Sequence, residues 1–263
     1  MDLGLKNKVA LVAAASRGLG RAVAEELAQE GALLVLCARN PQTLTETSEA
    51  ISRSSGADVL AVPADVAVLS DVLRVVASGI ERFGRIDILV TNAGGPPAGN
   101  FEHIAREQWE QAARLTLYST IEFARQVLPG MKERQWGRIL NITSIAVKQP
   151  VENLILSNSL RAGVTGFART LANEVAPLGI TVNNILPGYT RTERVEELAS
   201  MMAAKEGISA AEFKARWEHE IPMKRLGEPR EFAALAAFLV SERASYITGT
   251  SIQVDGGWIR SLL

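Results

Sequence analysis

Two glycines stand where an apolar run gives way to a helical pattern. Val9 to Ala13 reads as a strand, and the segment Ala14-Ala15-Ser16-Arg17-Gly18-Leu19-Gly20 follows it directly. Glycines at a strand-to-helix turn let the backbone approach a pyrophosphate, whose charge the helix N-terminus stabilises. The chemistry such a turn serves is dinucleotide binding. Placement after the first strand is what gives two glycines that meaning.

Charge then separates the dinucleotides. An acidic residue about 20 positions beyond the glycines would accept hydrogen bonds from the ribose hydroxyls of NAD. This chain has Ala38-Arg39-Asn40 there instead. Arg39 and Arg17 can flank a 2′-phosphate, and the planar guanidinium suits a phosphate. The expectation is NADP(H) in preference to NAD(H); the alternative is that both arginines are simply solvated.

The elements that must position this turn follow from hydrophobic patterning. Apolar runs at 9–13, 33–37, 59–62, 88–90, 138–142, 181–185 and 251–254 read as strands. Helical patterns at 18–30, 41–53, 71–83, 108–134 and 152–176 separate them. Buried, non-alternating strands that alternate with helices predict an α/β fold, a doubly wound parallel sheet of Rossmann-like type. Ligands then belong at the carboxyl ends of the strands. No linker divides the 263 residues, so one domain is expected over 1–263. The stretch 191–226 is polar, helical and too long for a simple connection, which predicts a lid insertion at the mouth of the site.

Composition excludes several classes. With 28 Lys and Arg against 29 Asp and Glu, the net charge of -1 gives no electrostatic reason to expect nucleic acid or an anionic membrane as partner. No apolar run reaches the roughly 18 residues of a membrane span. The first residues run straight into a strand and leave no room for a signal peptide, so a cytoplasmic location is expected. The single cysteine, Cys37, excludes an internal disulfide framework and reads as a small buried strand residue. His103 and His219 are the only histidines, and no metal site is expected.

The chain resembles the short-chain dehydrogenase/reductase family, whose cradle reads Thr-Gly-x-x-x-Gly-x-Gly. Gly18 and Gly20 match its last two glycines, while Ala13 and Ala14 stand for the threonine and the first glycine. Asn92-Ala93-Gly94 is similar to the family's Asn-Ala-Gly, which borders the adenosine side of the cofactor. Asp65 matches an adenine-contacting aspartate. Pro187-Gly188-Tyr189-Thr190-Arg191-Thr192 resembles the stretch that holds the nicotinamide carboxamide, and Asp255-Gly256-Gly257 resembles the C-terminal signature. The resemblance implies cofactor contacts from Ala14, Ser16, Arg17, Gly18, Leu19, Gly20, Arg39, Asp65, Asn92, Ala93, Gly94, Arg161, Pro187, Gly188, Thr190 and Thr192. It also implies a small-molecule carbonyl or alcohol substrate and a homotetramer built on helices 108–134 and 152–176 and the last strand.

The catalytic positions depart from that pattern. In the family a serine polarises the carbonyl, a tyrosine donates the proton, a lysine lowers the tyrosine pKa, and an asparagine completes a proton relay. Ser144 matches the serine, and Ser157 follows it by 13 residues at the tyrosine's usual spacing. Arg161 stands for the lysine, at i+4 on the same helix face, and Thr116 stands for the asparagine. Serine is a far poorer acid than tyrosine, and arginine does not readily release its proton. For Tyr118, Tyr189 and Lys148 alike a packed ring or a solvated ammonium is the better reading, with Tyr189 and Lys148 kept as candidate replacement donors. Two functions stay open: an NADP(H)-dependent carbonyl–alcohol oxidoreductase with a non-standard proton donor, most similar to the 3-oxoacyl-acyl-carrier-protein reductases, or a weak or inactive dinucleotide binder acting as sensor or subunit partner. A lyase is disfavoured, because the halohydrin dehalogenases that carry an arginine at this position keep the tyrosine and lose the cradle.

Overall fold

The computed structural model describes residues 2–262. Seven parallel strands form one sheet: β1 (Val9–Ala13), β2 (Leu33–Ala38), β3 (Val59–Pro63), β4 (Ile88–Thr91), β5 (Gly137–Ile142), β6 (Ile180–Pro187) and β7 (Ser251–Val254). Their spatial order is β3-β2-β1-β4-β5-β6-β7, so the winding reverses between β1 and β4. A crevice opens at such a reversal, outside the carboxyl ends of the strands.

Alternate residues along a strand face opposite layers, and in this sheet both layers are apolar. Ala10 and Val12 of β1 pack with α1 (Gly18–Gln29) and α9 (Pro229–Leu239), through Val23, Leu27, Phe232 and Ala236. Val9 and Leu11 face the other way, onto α3 (Leu69–Phe83), α5 (Ser119–Glu133) and α6 (Ile155–Val175), through Val75, Phe123 and Ala168. The helix α2 (Pro41–Ser55) covers the β2–β3 edge. Cys37 is buried in β2, and burial pushes its thiol up to about 12, so it acts as a small apolar side chain.

Three elements differ from the sequence expectation. The helix expected over 108–134 winds from Arg106 to Glu133, but α4 (Arg106–Ala113) passes into α5 through a π-helical segment, Arg114–Tyr118. The hydroxyls of Ser119 and Thr120 donate to the carbonyls of Leu115 and Thr116, competing for acceptors inside the helix where the winding loosens. The helix expected from Glu152 starts at Ile155, because Asn153 is left-handed (φ 59°) and its carbonyl accepts from the Gly99 N–H. The helix α9 carried a readable signal that hydrophobic patterning alone passed over: Pro229 at its first position and Glu231 reaching back to the Glu228 N–H at 2.8 Å.

The two ends of the sheet are built for different tasks. At the amino end, buried Asp87 accepts from the Val9 N–H at 2.9 Å and pairs with Arg85 at 3.0 Å, tying β1 to β4. At the carboxyl end, the turn after β1 is held in the left-handed region at Ala14 (φ 50°) and Gly18 (φ 57°). A Cβ on Gly20 would lie 2.4 Å from the Ala14 carbonyl oxygen and 2.9 Å from Asn92 Nδ2. Gly20 therefore sets how closely α1 approaches the turn, and Gly20→Ala should cost about 1–3 kcal/mol from overpacking. Ala14 holds a conformation that costs an L-residue roughly 1–2 kcal/mol. Part of that would be offset by the extra freedom of an unfolded glycine, so Ala14→Gly should raise Tm by about 2 °C. Thermal melts check both, and a drop in Tm for Ala14→Gly would contradict this reading of the turn.

Candidate active site

The crevice at the carboxyl ends is a cleft of about 280 Å³. Its floor is the turn after β1, where Ala14, Arg17, Gly18 and Leu19 line it. Arg17 precedes α1 without a side-chain cap, so the first N–H groups of that helix lack a side-chain acceptor. Asn92, Ala93 and Gly94 after β4 form one wall, and Pro187, Gly188, Tyr189, Thr190 and Thr192 after β6 form the other. Ser144, Ser157 and Arg161 close the inner end. A bare helix start behind glycine-lined backbone, with no Cβ where α1 meets the turn, fits an anionic dinucleotide.

Several expected residues lie outside the cleft lining. Ser16 turns its carbonyl to Thr47 Oγ1 at 3.0 Å and so pins α2 to the turn. Gly20 is buried beneath the cleft. Arg39 is exposed at the end of β2, and Asp65 caps the loop after β3 by accepting from the Ala67 N–H at 3.0 Å. His103 and His219 are exposed, and among the described residues no group of three His, Cys, Asp or Glu side chains is placed to hold a metal.

At the inner end, hydrogen bonds fix which protons are free. Ser144 Oγ accepts from the Ala146 N–H at 3.1 Å, and Ser157 Oγ accepts from Arg161 Nε–H at 3.2 Å. Each hydroxyl has an acceptor site filled, leaving its own proton to donate. Arg161 Nη1 donates to the carbonyls of Ile142 at 3.2 Å and Thr143 at 2.5 Å. Among the described residues no carboxylate pairs with this guanidinium. Burial, and then the Arg194 charge, lower its pKa to about 10, so it remains charged at neutral pH.

Thr116 sits behind Arg161 in the π-helical segment, 5% exposed. Thr116, Thr143, Asn92 and Arg161 border a small cavity of about 10 Å³, close to the size that holds one water. The hydroxyls of Thr116 and Thr143 are both buried there without a protein partner.

The replacement donors fare unequally. Lys148 Nζ donates to Gln253 Oε1 at 2.9 Å and does not line the cleft. Tyr189 does line it, with its ring stacked on Trp217 (4.3 Å, 14°) and edge-on to Trp258 (5.8 Å, 85°). Burial, then Glu220, push its pKa up to about 12, which makes it a weaker acid than an ordinary tyrosine. Tyr118 is 55% exposed.

The insertion forms α7 (Glu193–Glu206) and α8 (Ala210–Glu220), packed on their own core of Ala199, Phe213, Trp217 and Leu226. Thr192 caps α7 by accepting from the Val195 N–H. The first turns of α7 supply lining residues that sequence reasoning missed: Glu193, Arg194, Val195 and Leu198. Their signal was position, directly after the Pro187–Thr192 stretch.

A family model described as enoyl-(acyl carrier protein) reductase matches residues 13–259. The chain is 34% identical to a D-β-hydroxybutyrate dehydrogenase of Rhizobium meliloti, over 95% of this chain and 98% of that one. It is 31% identical to a 3-oxoacyl-acyl-carrier-protein reductase of Aquifex aeolicus, over 98% and 99%. The solved structure of L-sorbose reductase from Gluconobacter frateurii, complexed with NADPH and L-sorbose, matches it with a TM-score of 0.95 at 36% identity, covering 100% of both chains. No helix among the described residues is long and apolar enough to cross a membrane. With the fold, the cleft and matches over nearly its whole length in agreement, the chain belongs to the short-chain dehydrogenase/reductase family and is by that membership an oxidoreductase.

Proposed function

We propose that the protein is an NADP(H)-dependent oxidoreductase that interconverts a carbonyl and an alcohol, with Ser144, Ser157 and Arg161 in place of the usual serine, tyrosine and lysine. One observation carries this reading: two hydroxyls whose oxygens already accept a hydrogen bond line the cleft beside a guanidinium that, among the described residues, no carboxylate neutralises. The NADPH complex of the L-sorbose reductase supports the cofactor.

The residues that would hold NADP(H) are those the family resemblance implies. Gly18, Leu19, Gly20 and the start of α1 would receive the pyrophosphate, with Arg17 and Arg39 toward the 2′-phosphate and Asp65 toward the adenine. Asn92, Ala93 and Gly94 would border the adenosine side, and Pro187, Gly188, Thr190 and Thr192 the carboxamide. When bound, the cofactor supplies or accepts the hydride. Ser144 and Ser157 donate hydrogen bonds to the reacting oxygen, and the proton it gains comes from Ser157 Oγ. Arg161 Nε–H steadies the charge left on that seryl oxygen, and the fixed guanidinium does so without reorganising. Solvent water then restores the proton on Ser157; in alcohol oxidation the substrate's proton passes to Ser157 Oγ as that hydroxyl hands its own to water, so the serine is neutral at the start and end of either direction.

The alternative is a weak or inactive family member that binds the dinucleotide as sensor or subunit partner. Ser157, Arg161 and Thr116 at the tyrosine, lysine and asparagine positions are the observation in its favour.

Assembly as a homotetramer fits the exposed surface. Ala162, Gly163 and Gly166 leave the outer face of α6 small and exposed, Phe101 and Tyr118 are exposed near α4 and α5, and among the described residues β7 pairs on one side only. An unpaired edge of this kind is commonly covered by another chain. Sedimentation at micromolar concentration should give four copies; a monomer would contradict this.

Two further outcomes test the site. Ser144→Ala and Ser157→Ala should each lower kcat about 10²–10³-fold, as loss of an oxyanion donor does, with NADPH affinity within twofold. Arg161 loses its charge as pH rises through about 10, so wild-type reduction should fall on that alkaline side, and Arg161→Met should remove the limb. A full-rate Ser157→Ala enzyme, or an Arg161→Met enzyme that keeps the alkaline fall, would contradict the assignment. Arg39→Asp should weaken NADPH about tenfold in a fluorescence titration while sparing NADH. Unchanged NADPH affinity would remove Arg39 from the phosphate site.

A further inference from the structure

One cationic side chain of the cleft, Arg194, has no part in the cofactor site proposed above. Arg17, Arg161 and Arg194 line it, and Glu193 is the only carboxylate among the described lining residues. Glu193 lies on the cradle side, its Oε2 3.7 Å from where a Cβ on Gly18 would sit. Arg194 lies on the other side, against the loop after β4. A Cβ on Gly95 would stand 2.9 Å from Arg194 Nη2 and 3.2 Å from Nε, so the glycine makes room for the guanidinium to rest on the backbone. Nη2 also donates to the Pro96 carbonyl at 3.4 Å.

Arg194 has only a weak ionic partner. Glu197 stands 3.8 Å away, both side chains are about half exposed, and Glu197 also meets Arg17 at 3.6 Å. Exposed pairs of this kind hold a side chain only loosely. Arg161, at the inner end, has no carboxylate partner among the described residues. Two like charges therefore face one cleft, close enough that Arg194 lowers the pKa of Arg161. Apolar Val151, Leu154, Val195 and Leu198 lie around them. Arg194 is exposed at the cleft and its pairing is weak, so its guanidinium is available to an anion that enters.

The geometry points to Arg194 as a specificity residue that receives a carboxylate on the substrate, making the substrate an oxo acid or the corresponding hydroxy acid with an apolar chain. The proposal rests on the hydride-transfer reading and adds the substrate class. A guanidinium could equally meet the cofactor's own pyrophosphate, and the experiment separates the two sources.

The test uses dead-end complexes, so it needs no turnover. α-Hydroxyisocaproate and β-hydroxybutyrate, each beside its neutral amide, are titrated by calorimetry into the protein–NADPH complex. At least one acid should bind ten times or more tighter than its amide. Arg194→Gln should erase that preference and leave NADPH affinity within twofold, while Arg194→Lys should keep part of it. Equal binding of acid and amide, or no binding of either pair, would overturn the proposal. So would an Arg194→Gln variant that loses NADPH affinity instead, which would assign the guanidinium to the pyrophosphate. Failure of NADPH itself to bind would count against the hydride-transfer reading. The same acid–amide comparison on the cofactor-free protein would then decide the Arg194 proposal, a tenfold difference supporting it and equality overturning it.

Discussion

The way Arg161 is held governs the chemistry of this cleft. Its Nη1 donates to carbonyls at and just beyond the end of β5, and its Nε to Ser157. The carbonyl anchors sit at the end of a strand paired on both sides, since β5 lies between β4 and β6. Neutral carbonyls orient a guanidinium without cancelling its charge, whereas a carboxylate would neutralise it. The charge therefore stays available to an oxygen that becomes negative during reaction. Burial lowers the pKa, but not to where the charge is lost at neutral pH.

Exchanging a tyrosine–lysine pair for Ser157 and Arg161 changes reach as well as acidity. A serine hydroxyl ends a full ring short of a phenol, so the reacting oxygen must come nearer to α6 or a water must fill the gap. The insertion contributes Glu193, Arg194, Val195 and Leu198 to the lining of the cleft. Tyr189 stacks on Trp217 of α8 and meets Trp258 edge-on, which ties the base of the insertion to its apolar core. The first turns of α7 carry the exposed pairs Arg17–Glu197 and Arg194–Glu197, and Lys214 of α8 holds Glu196 at 2.7 Å while Val195 and Leu198 pack on the insertion's core.

The fold was legible because its signals are local. Buried strand runs, a glycine turn after β1 and helices between strands each follow from side-chain pattern, and together they imply the switch point and the cleft. The identities of Ser144, Ser157 and Arg161 were legible through spacing. Their hydrogen bonds were not, since which hydroxyl keeps a free proton depends on the Ala146 N–H and on a guanidinium seen only in three dimensions. The π-helical segment at Arg114–Tyr118 was hidden because a looser turn keeps the same hydrophobic pattern. Arg194 was hidden because it reads as one more charge on a polar helix; only Gly95 and Pro96, about a hundred residues earlier, show where its guanidinium rests. Lys148 looked close in sequence but reaches Gln253 on β7.

The central claim is that Ser144, Ser157 and Arg161 support hydride transfer without a tyrosine. It is tested most directly by following deuterium from nicotinamide-deuterated NADPH, by mass spectrometry, into a panel of oxo acids and neutral ketones at enzyme concentrations comparable to substrate. The account predicts deuterium on the carbinol carbon of at least one product, in an amount that falls sharply in Arg161→Met. Tight NADPH binding with no deuterium in any product would contradict it and leave a dinucleotide-binding protein that has kept the cleft but not the chemistry.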